Sequence, residues 1–278
     1  MASSGHTVVN PPQTTSRLDV RSALREGWKA FNRSPFWFVG FSLLLTALQL
    51  LLAALQPSFS PDTLPAPVDP ATVADKWETL LPWLRYGTVS LSLLVLNVLA
   101  GIVLNLWGTS GLVRGAWVAL NGGRPDLATF AHWDPRALLR LYLPGFLLGC
   151  GIAAAVTMLL LVAVLLSQVN ALLALLPGLI LLAGVIYFTV SQAFLPQVAL
   201  LHDDHPFAAL AQGPQVVDRA WPQVFQLMML SVGLLVVGLL AAGVGFFVAW
   251  PVVVCMVTAA YRQLFGSKDH TGFTRDLP

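Results

Sequence analysis

The sequence predicts an all-α, polytopic membrane helix bundle: six transmembrane helices with interfacial amphipathic helices, both termini in the cytoplasm (N-in/C-in). Three observations predict it. Of 278 residues, 56% are apolar and only 10% charged, against about a quarter charged in a soluble domain. The apolar residues gather into runs long enough to cross a bilayer. Lysine and arginine fall almost entirely on one side of the resulting topology.

Residues 1–16 are rich in Ser, Thr, Pro and Asn and read as a disordered tail. No cleavable leader is expected, because the first apolar run starts only at Phe36, after a cationic stretch. A span needs about 20 apolar residues at ~1.5 Å each. A single six-helix domain over 17–266 then holds spans at 36–55, 87–106, 141–166, 171–200, 223–242 and 245–261, with 267–278 as a C-terminal tail. The last two come from one run, Gln223–Tyr261, which as a single helix would measure about 58 Å. Its glycine-bearing stretch Ala242-Gly243-Val244-Gly245 is the expected corner. Ser167–Asn170 reads as a tight turn between spans three and four.

Orientation follows from the cations. With the N-terminus inside, 13 of the 15 basic residues lie on the cytoplasmic side, and only Lys76 and Arg85 lie outside. Membrane-interface positions on the cytoplasmic side are Arg17, Arg21, Arg25, Trp28, Lys29, Arg33, Trp37, Arg114, Trp133, Arg140, Trp221 and Arg262. Trp77, Trp83 and Tyr86 mark the outer one. The outer loop 56–85 opens with prolines at 57, 61, 65, 67 and 70, and Asp69-Pro70 starts a short helix that turns Trp77, Leu80, Leu81 and Leu84 to the membrane.

Three cytoplasmic segments read as interfacial helices. In 17–33, Val20, Leu24, Trp28 and Phe31 share a face that should lie on the membrane, beside a stripe of Arg17, Arg21, Arg25 and Lys29 near anionic headgroups. Asp126 caps a second containing Leu127, Phe130 and Trp133, and Asp204-His205-Pro206 starts a third with Phe207 and Leu210. Asn32-Arg33-Ser34-Pro35, His132-Trp133-Asp134-Pro135 and Asp218-Arg219-Ala220-Trp221 each close such a segment just before a span. This echo suggests three units, each an interfacial helix followed by a transmembrane hairpin.

Several phrases carry a family resemblance. They are Ala23-Leu24 through Trp28-Lys29, Asn32-Arg33-Ser34-Pro35-Phe36-Trp37, Gly111-Leu112-Val113-Arg114 and Gly123-Arg124-Pro125. Pro177-Gly178-Leu179, Asp203-Asp204 with Pro206 and Ala209-Leu210, and Ala259-Ala260-Tyr261-Arg262-Gln263-Leu264-Phe265 complete the set. Over most of 20–266 the chain resembles an uncharacterised bacterial integral-membrane family, related to the membrane domain of glycerophosphodiester phosphodiesterases. The resemblance implies a six-helix membrane domain in the bacterial cell (inner) membrane, and brings no catalytic residues with it.

Chemistry is sparse. All 28 charged residues and all five histidines lie outside the apolar runs, which argues against a proton-coupled transporter. Gln49, Asn97, Asn105, Thr157, Gln192 and Gln226 are the intramembrane polar residues, read first as helix-packing contacts. Asn97, Asn105 and Gln192 are the candidates for a polar cavity lining. His202-Asp203-Asp204-His205 is the one cluster of metal-ligand types, but Asp204 fits a helix cap, and contiguous residues cannot all face one ion. No metal or other cofactor is expected. Cys150 and Cys255 read as buried, inert thiols. Gly108, Gly111 and Gly115, and separately Gly145 and Gly149, are spaced for close helix approach, first within the monomer. No phosphate loop, catalytic triad or nucleic-acid surface is present in the sequence.

The reading is therefore a non-enzymatic integral membrane protein: a scaffold, assembly factor or accessory subunit with a protein partner in a membrane complex. The alternative is a permease or lipid-handling protein for neutral or amphiphilic molecules.

Overall fold

A computed structural model describes residues 18–55, 81–168, 170, 172–173, 175–202, 206–241 and 243–274. The tail 1–16, Arg17, the outer helix after Asp69 with Trp77, the cluster members Asp203, Asp204 and His205, and residues 275–278 lie outside the described residues. So do the side chains of Trp83, Tyr86 and Phe207.

Ten α-helices are described: α1 Val20–Phe31, α2 Pro35–Ala54, α3 Leu81–Leu120, α4 Leu127–Ala131, α5 Pro135–Ser167, α6 Leu175–Ser191, α7 Leu195–Leu201, α8 Pro206–Val217, α9 Trp221–Leu240 and α10 Phe246–Phe265. Six segments are long and apolar enough to cross a membrane: Pro35–Ala54, Leu91–Leu120, Pro135–Ser167, Leu175–Leu201, Gly213–Leu240 and Phe246–Phe265. The protein is thus an all-helical, multi-pass membrane bundle. Along the chain a short helix precedes a long hairpin three times: α1 before α2–α3, α4 before α5–α6, and α8 before α9–α10.

Local chemistry sets the helix starts. Asp19, at the α1 N-cap, accepts from the backbone N–H groups of Arg21 and Ser22, and Asp134 does the same for Arg136 and Ala137 at α5. The first long helix of every hairpin has proline in its opening turn: Pro35, Pro135 and Pro222. Proline fits there because its missing N–H would have no helical partner anyway. Asp126 and Thr129 form a reciprocal capping box at α4. Between α9 and α10 the chain turns at Ala241 and Gly243–Gly245, with Gly243 at φ +75°, a left-handed conformation that glycine adopts without steric cost.

Several helices run further than the apolar stretches that announce them. At ~1.5 Å per residue, α3 is about 60 Å long. Its last turns, placed by the sequence reading in a cytoplasmic loop, stay helical because protein encloses them: Leu112, Val113, Ala116, Trp117 and Ala119 are all buried. As a result Arg114, Arg136, Arg140, Arg219 and Arg262 fall inside the membrane-length helices, near the short-helix end. The apolar runs 36–55, 87–106, 141–166, 171–200, 223–242 and 245–261 within those helices carry no charge. The fourth span is not one helix either: α6 ends at Ser191, a turn covers Gln192–Phe194, and the buried α7 follows.

Packing is uneven along the bundle. One core cluster joins Trp117, Phe194, Val198, Leu200, Leu201, Leu227, Met256 and Tyr261. A second, aromatic cluster holds Phe31, Phe38, Phe41 and Phe130, with the Phe130 ring 4.9 Å from Phe38 and 5.3 Å from Phe41. Both sit toward the end that carries α1, α4 and α8. Toward the opposite end the hairpins expose apolar side chains such as Leu160, Leu161, Leu165, Leu179 and Leu182, as lipid-facing helices do. Helix α10 is central, touching α1, α2, α3 and α9.

The apolar face of α1 is where expectation and structure part. Its buried residues are Val20, Ala23, Gly27, Ala30 and Phe31, a stripe at helical spacing. That stripe covers α10 rather than lipid, while Trp28 is left 48% exposed. Small residues at 23, 27 and 30 let the two backbones approach closely.

Candidate functional site

A cavity of about 240 Å³ lies between α2, α3 and the start of α10. Its wall from α2 carries Ser42, Thr46 and Gln49; α3 contributes Asn105, Gly108 and Thr109; α10 contributes Phe246, Phe247 and Trp250. Leu45, Leu104 and Leu112 complete it, and no charged side chain lines it. The helix positions put the two amides at one level. Gln49 stands 14 residues into α2 from Pro35 and Asn105 stands 15 residues before Leu120. At ~1.5 Å per residue both amides lie about 21–23 Å from the short-helix end.

The polar groups are not equivalent. Ser42 Oγ donates to the Phe38 carbonyl at 3.0 Å, and Thr46 Oγ1 donates to the Ser42 carbonyl at 3.0 Å. Both hydroxyl protons are therefore used within α2. Among the described residues, no hydrogen bond engages the side-chain amide of Gln49 or of Asn105. An amide without partners at hydrocarbon depth is costly. On the opposite wall Phe246 stacks on Trp250, with ring centres 6.1 Å apart and planes 25° apart. Two amides facing an aromatic wall can hold an uncharged group by hydrogen bonds while apolar surface covers the rest.

The three lining candidates separate. Asn105 faces this cavity. Asn97 instead donates from Nδ2 to the Leu52 carbonyl at 2.7 Å, a contact between α3 and α2. Gln192 is half-buried at the break between α6 and α7, away from the cavity, and its Oε1 has no partner. Sequence reasoning missed Ser42, Thr46, Thr109 and the three aromatics as lining. A usable signal existed: Ser42, Thr46 and Gln49 recur at spacings of four and three along one helix face.

The expected interface residues also sort themselves. Arg21, Arg25, Lys29 and Arg33 are exposed, as are Trp28, Trp37 and Trp133. Arg140 and Trp221 are half-buried, Trp221 stacked on Phe225 at 5.3 Å. The Arg262 guanidinium lies 5.7 Å from the Trp117 ring centre. Arg114 departs from the pattern. It is fully enclosed: Nη1 donates to the His132 carbonyl at 3.0 Å, Nη2 is 4.0 Å from Asp134 Oδ2, and the guanidinium lies 4.2 Å from the Phe273 ring centre. Protein, not headgroups, surrounds it because α4, α5 and the segment after α10 converge there.

His202 is half-buried, its ring 5.2 Å from that of His270. No group of three or more His, Cys, Asp or Glu suited to a metal occurs among the described residues. Cys255 is buried, but Cys150 is exposed on α5, correcting the reading of both thiols as buried. The two glycine steps differ as well. A side chain at Gly111 or Gly115 would collide with Phe130, whereas one at Gly145 or Gly149 would meet nothing within 4 Å. Outside the spans, the Asp126 carboxyl is held below its ordinary range by the Thr129 hydroxyl and then by the Thr129 N–H.

The chain matches no protein-family model, no curated protein and no solved structure.

Proposed function

We propose that this multi-pass protein is a non-enzymatic handler of a neutral, amphiphilic molecule, taken from the bilayer into the cavity between α2, α3 and α10. The observation that carries this is the pair of side-chain amides, Gln49 and Asn105, unpartnered among the described residues and at one depth beside Phe246, Phe247 and Trp250. A protein that only packed its helices would be expected to pair such amides, as Asn97 is paired with Leu52. The uncharged lining excludes an ionic head, and its position among membrane-length helices suits a ligand that arrives through the lipid. With this reading go both termini in the cytoplasm, residence in the bacterial cell (inner) membrane, and kinship to the membrane domain of glycerophosphodiester phosphodiesterases.

The test is native mass spectrometry of the protein released from native-lipid nanodiscs, beside the Gln49→Leu/Asn105→Leu double variant. A bound neutral lipid or amphiphile, lost in the variant, is the expected result. A variant that gains thermal stability while its co-purifying lipids stay the same would sink the reading, since the amides would then be mere strain.

A second reading, as scaffold or accessory subunit, is favoured by a different feature. The α5 step at Gly145 and Gly149 has open space where the Gly111 and Gly115 step has Phe130. A near-stoichiometric protein partner, lost in Gly145→Leu/Gly149→Leu, would move the assignment there.

A further inference from the structure

Arg114 is the most heavily enclosed cation among the described residues, with no exposed surface. Of its three nitrogens, only Nη1 has a hydrogen-bond acceptor, the His132 carbonyl. Nε and Nη2 have none, and Asp134 Oδ2 is 4.0 Å from Nη2, beyond hydrogen-bonding range. Those two nitrogens carry the parallel N–H pair with which arginine grips a carboxylate or phosphate side-on. The pairing face of a buried guanidinium is thus unused.

Against this guanidinium lies the segment after α10. Phe273 is 5% exposed and presents its ring to the guanidinium at 4.2 Å. The segment is shaped internally by Asp269, whose carboxylate accepts from the backbone N–H groups of Phe273 at 3.2 Å and Thr274 at 2.8 Å. Its hydrogen bonds to the rest of the bundle are few: His270 N–H donates to the Leu201 carbonyl, and Thr271 Oγ1 donates to the Leu200 carbonyl. Lys268 and Ser267 are exposed, and Gly266 at φ +99° sets the segment off from α10. A preformed wedge, seated in the main core by Phe273 and bonded to the bundle through the Leu200 and Leu201 carbonyls, therefore closes over an arginine whose bidentate edge is unsatisfied.

We infer that residues 266–274 form a releasable strap over an anion site, and that Arg114 takes a phosphate group when Phe273 withdraws. A cation–ring contact is worth less than a bidentate charge-assisted pair to phosphate, so the anion competes with the strap. Arg114 lies at the short-helix end of α3, which packs against α1 with its exposed Arg21, Arg25 and Lys29, the level at which phospholipid headgroups would be met. The phosphate could equally be a soluble one, and the experiment separates the two sources. This inference is independent of the cavity reading.

The experiment places the full chain in nanodiscs of phosphate-free galactolipid or of anionic phospholipid and follows tryptic cleavage after Lys268 by mass spectrometry. Cleavage there reports strap release, because a docked segment must open before it is cut. Anionic lipid is expected to speed cleavage about tenfold, the change that one gained charge-assisted pair produces. Arg114→Gln and Arg114→Lys should abolish the response, the latter by keeping charge without the parallel fork. Arg21→Gln, on the exposed face of α1, should leave it intact. Phe273→Ala should be cut fast in both lipids, which tests the strap even if the arginine variants fold poorly. Inorganic phosphate added to the galactolipid discs gives the same acceleration if the source is soluble, and none if it is a headgroup. Equal cleavage in all conditions, or a response that survives in Arg114→Gln, overturns the inference.

Discussion

The Met256 backbone passes so close to Gly27 that a methyl group there would lie 2.6 Å from the Met256 Cα. That approach joins α1 to α10 and explains why an amphipathic surface helix is seated on protein. Gly27→Ala should destabilise the protein by about 1–3 kcal/mol, the usual cost of overpacking. Thermal unfolding in mild detergent measures it, and an unchanged midpoint would mean that α1 can lift without loss.

Phe130 should behave as a keystone of the second cluster. It is fully buried from the short helix α4, against Phe38, Phe41 and the α3 glycines. Phe130→Ala is expected to cost about 3–5 kcal/mol through the lost contacts and the cavity left behind. Denaturant unfolding in detergent reads this directly, and a cost below about 1 kcal/mol would show that the cluster refills.

Asn97 and Asn105 occupy one helix but should respond in opposite ways. Asn97→Leu removes the bond to the Leu52 carbonyl, at a cost of about 0.6–2 kcal/mol in a membrane setting. Asn105→Leu removes an amide that has no partner among the described residues, so ligand-free protein should be unchanged or more stable. Parallel melting curves of the two variants decide it; equal destabilisation would mean that Asn105 has a protein partner after all.

The α4 cap should titrate. The bond from Thr129 lowers the Asp126 carboxyl from its ordinary value of 3.8. A carboxylate with a depressed folded-state pKa contributes stability that is complete above the ordinary value and lost as pH falls through the folded value. Hydrogen-exchange protection of the Thr129 amide should therefore hold above about pH 4 and fall below it. In Asp126→Asn, which can still cap without titrating, that dependence should vanish. A Thr129 amide whose protection ignores pH in the parent chain would count against the cap.

The two thiols should be distinguishable by access. A lipophilic maleimide is expected to label Cys150, which is exposed on α5, and to spare Cys255, which is buried in the aromatic cluster. Mass spectrometry of the labelled protein checks this, and rapid modification of Cys255 would indicate that α10 opens.

The sequence by itself determined what depends on neighbouring residues: six membrane-length apolar segments, the Asp126 cap, the glycine corner between α9 and α10, and the recurring short helix before a hairpin. Hydropathy, capping and glycine conformation are local, so they can be read along the chain. What each face meets depends on helices distant in sequence. The α1 stripe satisfies its apolar side chains as well on α10 as it would on lipid, and nothing in the stripe names the partner. Arg114 reads as one more interface cation until α4, α5 and the Phe273 segment close around it. Gly115 and Gly145 carry the same spacing signal, yet one faces Phe130 and the other open space. Asn97 and Asn105 are identical side chains eight residues apart on α3, and the neighbouring helix reaches only one of them. In each case the residue supplies a capacity, and the long-range approach of another helix decides whether that capacity is used.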